Sequence, residues 1–159
     1  MKTMMTMLAG ATLALASVAA SAGTATVTFV HPENYVDFPT WADDRQDVLR
    51  ELGEHFAKRA RALPANEELR VEVLQCDLAG RLRPSVTRTS EIRVIRPIDW
   101  PTMQVRYTLL RDGQVISQGE ERLSDMQAVT RANRYFSDDP LRFEKMMIDD
   151  WFKDRIAVR

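Results

Sequence analysis

Apolar residues recur at steps of three and four between Trp41 and Leu63. Trp41, Val48, Leu52, Phe56, Ala60 and Leu63 form one stripe of a helix. Thr40 is the expected N-cap, with Asp43 and Asp44 in the first turn and Lys58, Arg59 and Arg61 in the last. That order of charge suits the helix dipole. Pro64 closes the segment. Gly53 inside it costs about 1 kcal/mol against alanine, so a close approach to a neighbouring layer is expected there.

Elsewhere the period is two. Thr24–Val30 alternates β-branched and apolar residues and predicts a strand, ended by His31-Pro32-Glu33. Tyr35, Val36 and Phe38 make the following loop apolar enough to pack. Leu69–Leu78 predicts a second strand, Glu91–Arg96 a short third and Thr102–Leu110 a fourth. In the fourth, Met103, Val105, Tyr107 and Leu109 share one face. Arg111-Asp112-Gly113-Gln114 predicts a tight hairpin turn into a returning strand, Val115–Leu123, because Asp-Gly tolerates positive φ. Ala79–Ser90, with Arg81, Arg83 and Arg88 around Pro84, reads as a basic connection. Asp125–Phe136 fits either a short helix or a covering loop.

A last helix follows, with Asp139 as cap and Pro140 at its first position. Leu141, Glu144, Ile148, Trp151, Phe152 and Ile156 mark its face. The element order, without regular β-α alternation, predicts an α+β fold. The expectation is one mainly antiparallel sheet of four or five strands, with the long N-terminal helix and the C-terminal helix on one face.

The N-terminal residues change the setting. One Lys precedes an uncharged run from Met4 to Ala20, and Ala20-Ser21-Ala22 is a small-x-small cleavage site. This is a secretory leader over residues 1–22, and the reading divides the chain into that leader and one domain over 23–159. Export to the periplasm is expected, with cleavage after Ala22; Gly10, Thr12 and Ser17 dilute the run too much for a membrane anchor. The chain has 22 basic and 23 acidic residues, a net charge of −1. That balance gives no reason to expect nucleic acid or a strongly anionic membrane as partner. Cys76, the single cysteine, cannot form an internal disulfide and is expected to be a buried apolar residue.

Four spaced blocks carry a resemblance: Val27-Thr28-Phe29-x-x-Pro32-Glu33, then Leu69-x-Val71-x-Val73-x-x-x-Asp77-Leu78-Ala79-Gly80, then Arg93-Val94-x-Arg96-x-x-Asp99-Trp100-Pro101, then Phe143-Glu144-Lys145-Met146-Met147-x-x-Trp151-Phe152. Together they resemble a family of exported, periplasmic proteobacterial proteins known as a domain of unknown function. The resemblance implies a periplasmic setting and a single domain, and brings no activity, cofactor or catalytic residue.

No nucleophile elbow, phosphate-binding glycine loop or Cys-x-x-Cys pair is present. Asp43, Asp44 and Asp47 lack an Asp-x-Asp-x-Asp-Gly loop and read as dipole compensation. His55, beside the apolar stripe, reads as a surface or capping histidine. The stiff connection Arg96-Pro97-Ile98-Asp99-Trp100-Pro101 is the first candidate binding segment, with Arg96, Asp99 and Trp100 as candidate binding side chains; the alternative is that Trp100 packs at the core edge while Asp99 caps a turn and pairs with Arg96. Asp77, His31 and Glu33 complete the candidate set. Two functions are weighed. A non-enzymatic binding or envelope-accessory domain would take another envelope protein as partner, without stable membrane insertion and without a cofactor. A metal-dependent or other hydrolase would use His31 and Glu33. The missing catalytic motifs favour the first.

Overall fold

A computed structural model describes residues 22–85 and 91–158. Apart from Ala22 the expected leader lies outside them, as do Arg88 and Ser90 of the basic connection. The first strand, β1 (Thr24–Phe29), leads through a short 3-10 turn at Pro32–Asn34 into helix α1 (Ala42–Ala60). Strands β2 (Glu67–Asp77), β3 (Arg81–Pro84), β4 (Glu91–Val94), β5 (Thr102–Arg111) and β6 (Gln114–Ser124) follow. Helix α2 (Arg142–Trp151) runs on as a wider π-type turn through Phe152–Ile156.

The fold is α+β, but the sheet is mixed. Its order is β1-β2-β5-β6, and β1 runs parallel to β2, Val27 facing Val71. This corrects the mainly antiparallel expectation. A parallel pair needs a long crossover, and the 19-residue α1 between β1 and β2 provides it. A second correction concerns the basic connection. Arg81–Pro84 is a strand that pairs antiparallel with β4 in a separate two-stranded sheet, so the described residues form two sheets and β4 lies outside the main one.

Alternation decides which sheet face is covered. Leu69, Val71 and Val73 of β2 and Met103, Val105, Tyr107 and Leu109 of β5 point into one core with Leu49, Leu52 and Phe56 of α1 and Met147, Ile148 and Trp151 of α2. The opposite face is polar. There Arg106 donates to Glu72 and Glu120 at 2.9 and 3.1 Å, linking three strands. Cys76 is buried in the core. The Arg111–Gln114 hairpin turn forms as expected, with Asp112 and Gly113 both at positive φ.

The helix ends differ from expectation. Trp41, not Thr40, precedes the first turn of α1, and no side chain caps it; Thr40 instead donates from its Oγ1 and its N–H to Glu91. Trp41 is 60 % exposed and outside the stripe. Helix α2 begins at Arg142, two residues beyond Pro140, while the Asp139 carboxylate accepts from the Leu141 N–H at 2.9 Å. Residues 125–136 form turns, resolving the alternatives toward a covering loop. No helix among the described residues is long and apolar enough to cross a membrane.

Two substitutions separate core from surface. Leu52→Ala, at a fully buried position, is expected to cost about 3 kcal/mol in urea unfolding. Trp41→Ala is expected to stay within about 0.5 kcal/mol of wild type. A large loss at Trp41 would contradict its placement outside the core.

Candidate functional site

The site begins at the turn Asp77-Leu78-Ala79-Gly80, where β2 leaves the main sheet. Three successive backbone N–H groups of this turn donate to three separate parts of the chain. Leu78 donates to the Val36 carbonyl at 3.3 Å and Gly80 to the Asp99 carbonyl at 3.0 Å. Between them, the Ala79 N–H donates to Oε1 of Glu144, on α2, at 2.7 Å. Gly80 sits at φ 89, and a Cβ there would lie 2.8 Å from the Val94 carbonyl oxygen. Only glycine fits both demands.

Glu144 is fully buried, and its Oε2 has no hydrogen-bond partner among the described residues. Burial pushes its carboxyl above the ordinary glutamate range, against the opposing pull of Arg93 and the Ala79 amide; Asp139 adds to the rise. Folding therefore makes the Glu144 proton harder to remove than it is from an exposed glutamate.

The turn forms one wall of a cleft of about 260 Å³ lined by Asp37, Asp77, Arg81, Ile98, Asp99, Trp100 and Arg122, among others. Three of the candidates, Asp77, Asp99 and Trp100, thus share one concavity. Arg96 joins them indirectly, as its guanidinium grips Asp99 with two hydrogen bonds of 2.7 and 2.9 Å. That bidentate bond holds the Asp99 carboxyl below its usual range. Arg81 Nε lies 3.5 Å from Asp99 Oδ1, the oxygen that also accepts from Arg96 Nη2. Burial and the nearby Asp37 carboxylate push Asp77 upward, partly offset by Arg81. The cleft therefore presents carboxylates and guanidinium groups beside an indole and an aliphatic side chain.

His31 and Glu33 are not brought to this cleft. They pair with each other at 3.2 Å on an exposed 3-10 turn. Among the described residues, no group of three or more His, Cys, Asp or Glu side chains is placed to hold a metal ion.

Sequence reasoning missed Asp37 and Arg122 in the cleft, since each reads as an ordinary loop or outward strand residue. It also misplaced His55. That imidazole is buried, with Nε2 2.8 Å from Asp149 Oδ1, and the Tyr135 hydroxyl donates to Asp149 Oδ2 at 2.6 Å. Burial raises the Asp149 pKa, but the hydrogen bonds from His55 and Tyr135 outweigh it and leave the carboxyl below the usual range. The pair bridges α1, α2 and the loop between β6 and α2. It is a structural lock rather than part of the cleft.

These shifts fix the sign of two pH effects. The Glu144 proton is held more tightly in the folded chain than in the unfolded one, so stability falls as pH rises from about 4.3. Glu144→Gln, which keeps an acceptor for Ala79 without a charge, is expected to flatten that decline in denaturant melts between acid and neutral pH. Glu144→Ala leaves the amide unpaired and is expected to cost about 2 kcal/mol. A wild-type curve that rises over this range, unchanged by the glutamine, would contradict the upward shift. Asp149 has the opposite sign: its contribution is present above the ordinary aspartate pKa and is lost as pH falls through the lowered folded value. Asp149→Asn is expected to cost about 3 kcal/mol near neutral pH in the same melts, and to remove the acid loss.

Comparison with known proteins gives a family and no activity. No curated protein matches the chain. Among solved structures, a Xanthomonas campestris protein matching the DUF330 family model is similar at 9 % identity, over 83 % of this chain and 78 % of that one, with a TM-score of 0.36. A family model described as a protein of unknown function, DUF3016, matches residues 23–154. With most of its length under that match, the chain belongs to the DUF3016 family.

Proposed function

We propose that this chain is a non-enzymatic binding domain of the bacterial envelope, exported to the periplasm, which docks another envelope protein at the cleft beside the Asp77–Gly80 turn. The observation that carries the reading is the convergence of Asp37, Asp77, Arg81, Ile98, Asp99, Trp100 and Arg122, from distant parts of the chain, on one concavity. Ionic groups of both signs beside an exposed apolar residue and an indole suit the recognition of a mixed protein surface. Asp99 is already committed to Arg96 and Arg81, which fixes the shape of the wall rather than leaving an acid or base poised for proton transfer. Nothing in the family match points to hydrolase activity. The exposed His31–Glu33 pair offers no enclosed site for one. The charged-then-apolar start with Ala20-Ser21-Ala22 supports the export half of the proposal.

A photo-crosslinking amino acid in place of Ile98, which is 66 % exposed at the cleft, tests both halves in living cells. The expected result is a periplasmic product beginning at Gly23 and one discrete adduct. Trp100→Ala with Arg122→Ala is expected to lower its yield about tenfold. An intact precursor in the cytosol overturns the address. Absence of any adduct from a folded, exported chain overturns the docking.

A further inference from the structure

The two edges of the main sheet, β1 and β6, are built differently. The β6 edge carries Glu120, Glu121 and Arg122 and meets β5 through a register shift, and both features hinder pairing with a further strand. The β1 edge has neither. Thr24–Phe29 contains no charge and no proline, and its register against β2 is unbroken. The Val30 N–H donates to the Val73 carbonyl at 2.9 Å, which fixes the alternation. The backbone groups of Thr26 and Thr28 face β2, and those of Ala25, Val27 and Phe29 face outward. Among the described residues no hydrogen bond is made to those outward groups. The Gly23 N–H is taken by the Leu63 carbonyl at 3.0 Å, so the open stretch begins at Ala25.

A groove of about 510 Å³ follows this edge, lined by Val27 and Phe29 of β1 and by Gln46, Leu49 and Gly53 of α1, among others. Gly53 finds no reason within the chain. It sits inside a helix at a cost of about 1 kcal/mol against alanine. Yet a Cβ there would meet only the Phe29 Cε2, at 3.8 Å, an ordinary contact. The close approach expected at this glycine is therefore not made by the described residues. A strand added beside β1 would lie in the groove that the glycine lines.

We infer that two copies of this chain join antiparallel along β1, continuing the sheet across a two-fold axis at Val27. The strand is complementary to itself in that register. Val27 stands opposite Val27 of the second copy, and the outward N–H and C=O groups of Ala25, Val27 and Phe29 fall into hydrogen-bonded pairs. Ala25 faces Phe29 of the second copy, the smallest side chain of the strand against the largest, on the side that packs against the core. On the exposed side Thr26 faces Thr28, a pair able to hydrogen-bond. A charged strand would meet its own like charge in this arrangement, and β1 carries none. Where the register ends, Gly23 is already bonded and His31, at φ 49, turns the chain away. This surface shares no residue with the cleft and does not depend on the cleft having a protein partner.

Sedimentation equilibrium on residues 23–159, which contain every described element, tests the contact. The mass is expected to rise from one chain to two with concentration and to go no higher, as a closed two-fold contact requires. Val27→Pro removes an outward N–H and leaves the β1–β2 ladder intact; it is expected to weaken association about thirtyfold. Thr26→Lys with Thr28→Lys sets like charges opposite each other across the axis and is expected to weaken it about tenfold. Thr26→Lys with Thr28→Glu sets opposite charges there and is expected to keep the wild-type strength. Circular dichroism melts establish that each variant is folded. Should Val27→Pro unfold, the two threonine variants carry the test, since both side chains are exposed. One chain at every concentration overturns the inference, as does a dimer that Val27→Pro and the lysine pair leave unchanged. Equal loss in both threonine variants overturns the register on which it rests, and growth beyond two chains overturns the two-fold.

Discussion

One hydrogen bond organises the functional end of this molecule: the Ala79 amide donating to the buried Glu144 carboxyl. A carboxyl group with no access to water is costly unless it is neutral and bonded. Here the cost is offset by satisfying an amide that the sheet has abandoned, at the point where β2 leaves its pairing with β5. The flanking amides of Leu78 and Gly80 reach the loop before α1 and the loop before β5. Helix α2, β2 and both loops are thereby pinned to one short turn. The cleft opens on one side of that turn, and the two-stranded β3–β4 ribbon leaves from its end.

The main architecture was legible because burial imposes periods on the sequence. The alternation in β5, the Asp-Gly turn into β6 and the stripe of α1 each follow from a face that must be buried. What failed was pairing that periodicity does not encode. Nothing in Thr24–Phe29 distinguishes a parallel from an antiparallel neighbour, and only the return through α1 fixes it. Arg81-Leu82-Arg83-Pro84 looks like a loop because its outer face carries charge and its ribbon has little core to cover.

The candidate site was half legible for a related reason. Asp99 and Trp100 stand out because Pro97 and Pro101 stiffen their connection, and Asp77 because it opens the Asp77–Gly80 block; all three share the cleft. Asp37 and Arg122 carry no local signal, since their proximity is made by the tertiary fold. In sequence, Glu144 falls among the apolar face residues of its helix. Its position there was correct, and the partner that explains a carboxyl in such a place lies 65 residues away. His31 and Glu33 look chemically promising because they are neighbours in sequence, yet the same closeness lets them pair with each other at the surface. His55 and Asp149, 94 residues apart, form the buried contact that sequence alone does not suggest.

The account rests on the turn being held as firmly as the sheet that precedes it, and amide hydrogen exchange reads this at one atom. The Ala79 N–H is predicted to exchange as slowly as those of the β2 core, through opening of the whole domain. Exchange at the rate of an exposed loop, with the β2 amides still protected, would show that the carboxyl does not hold the turn and would contradict the arrangement on which cleft and ribbon both depend.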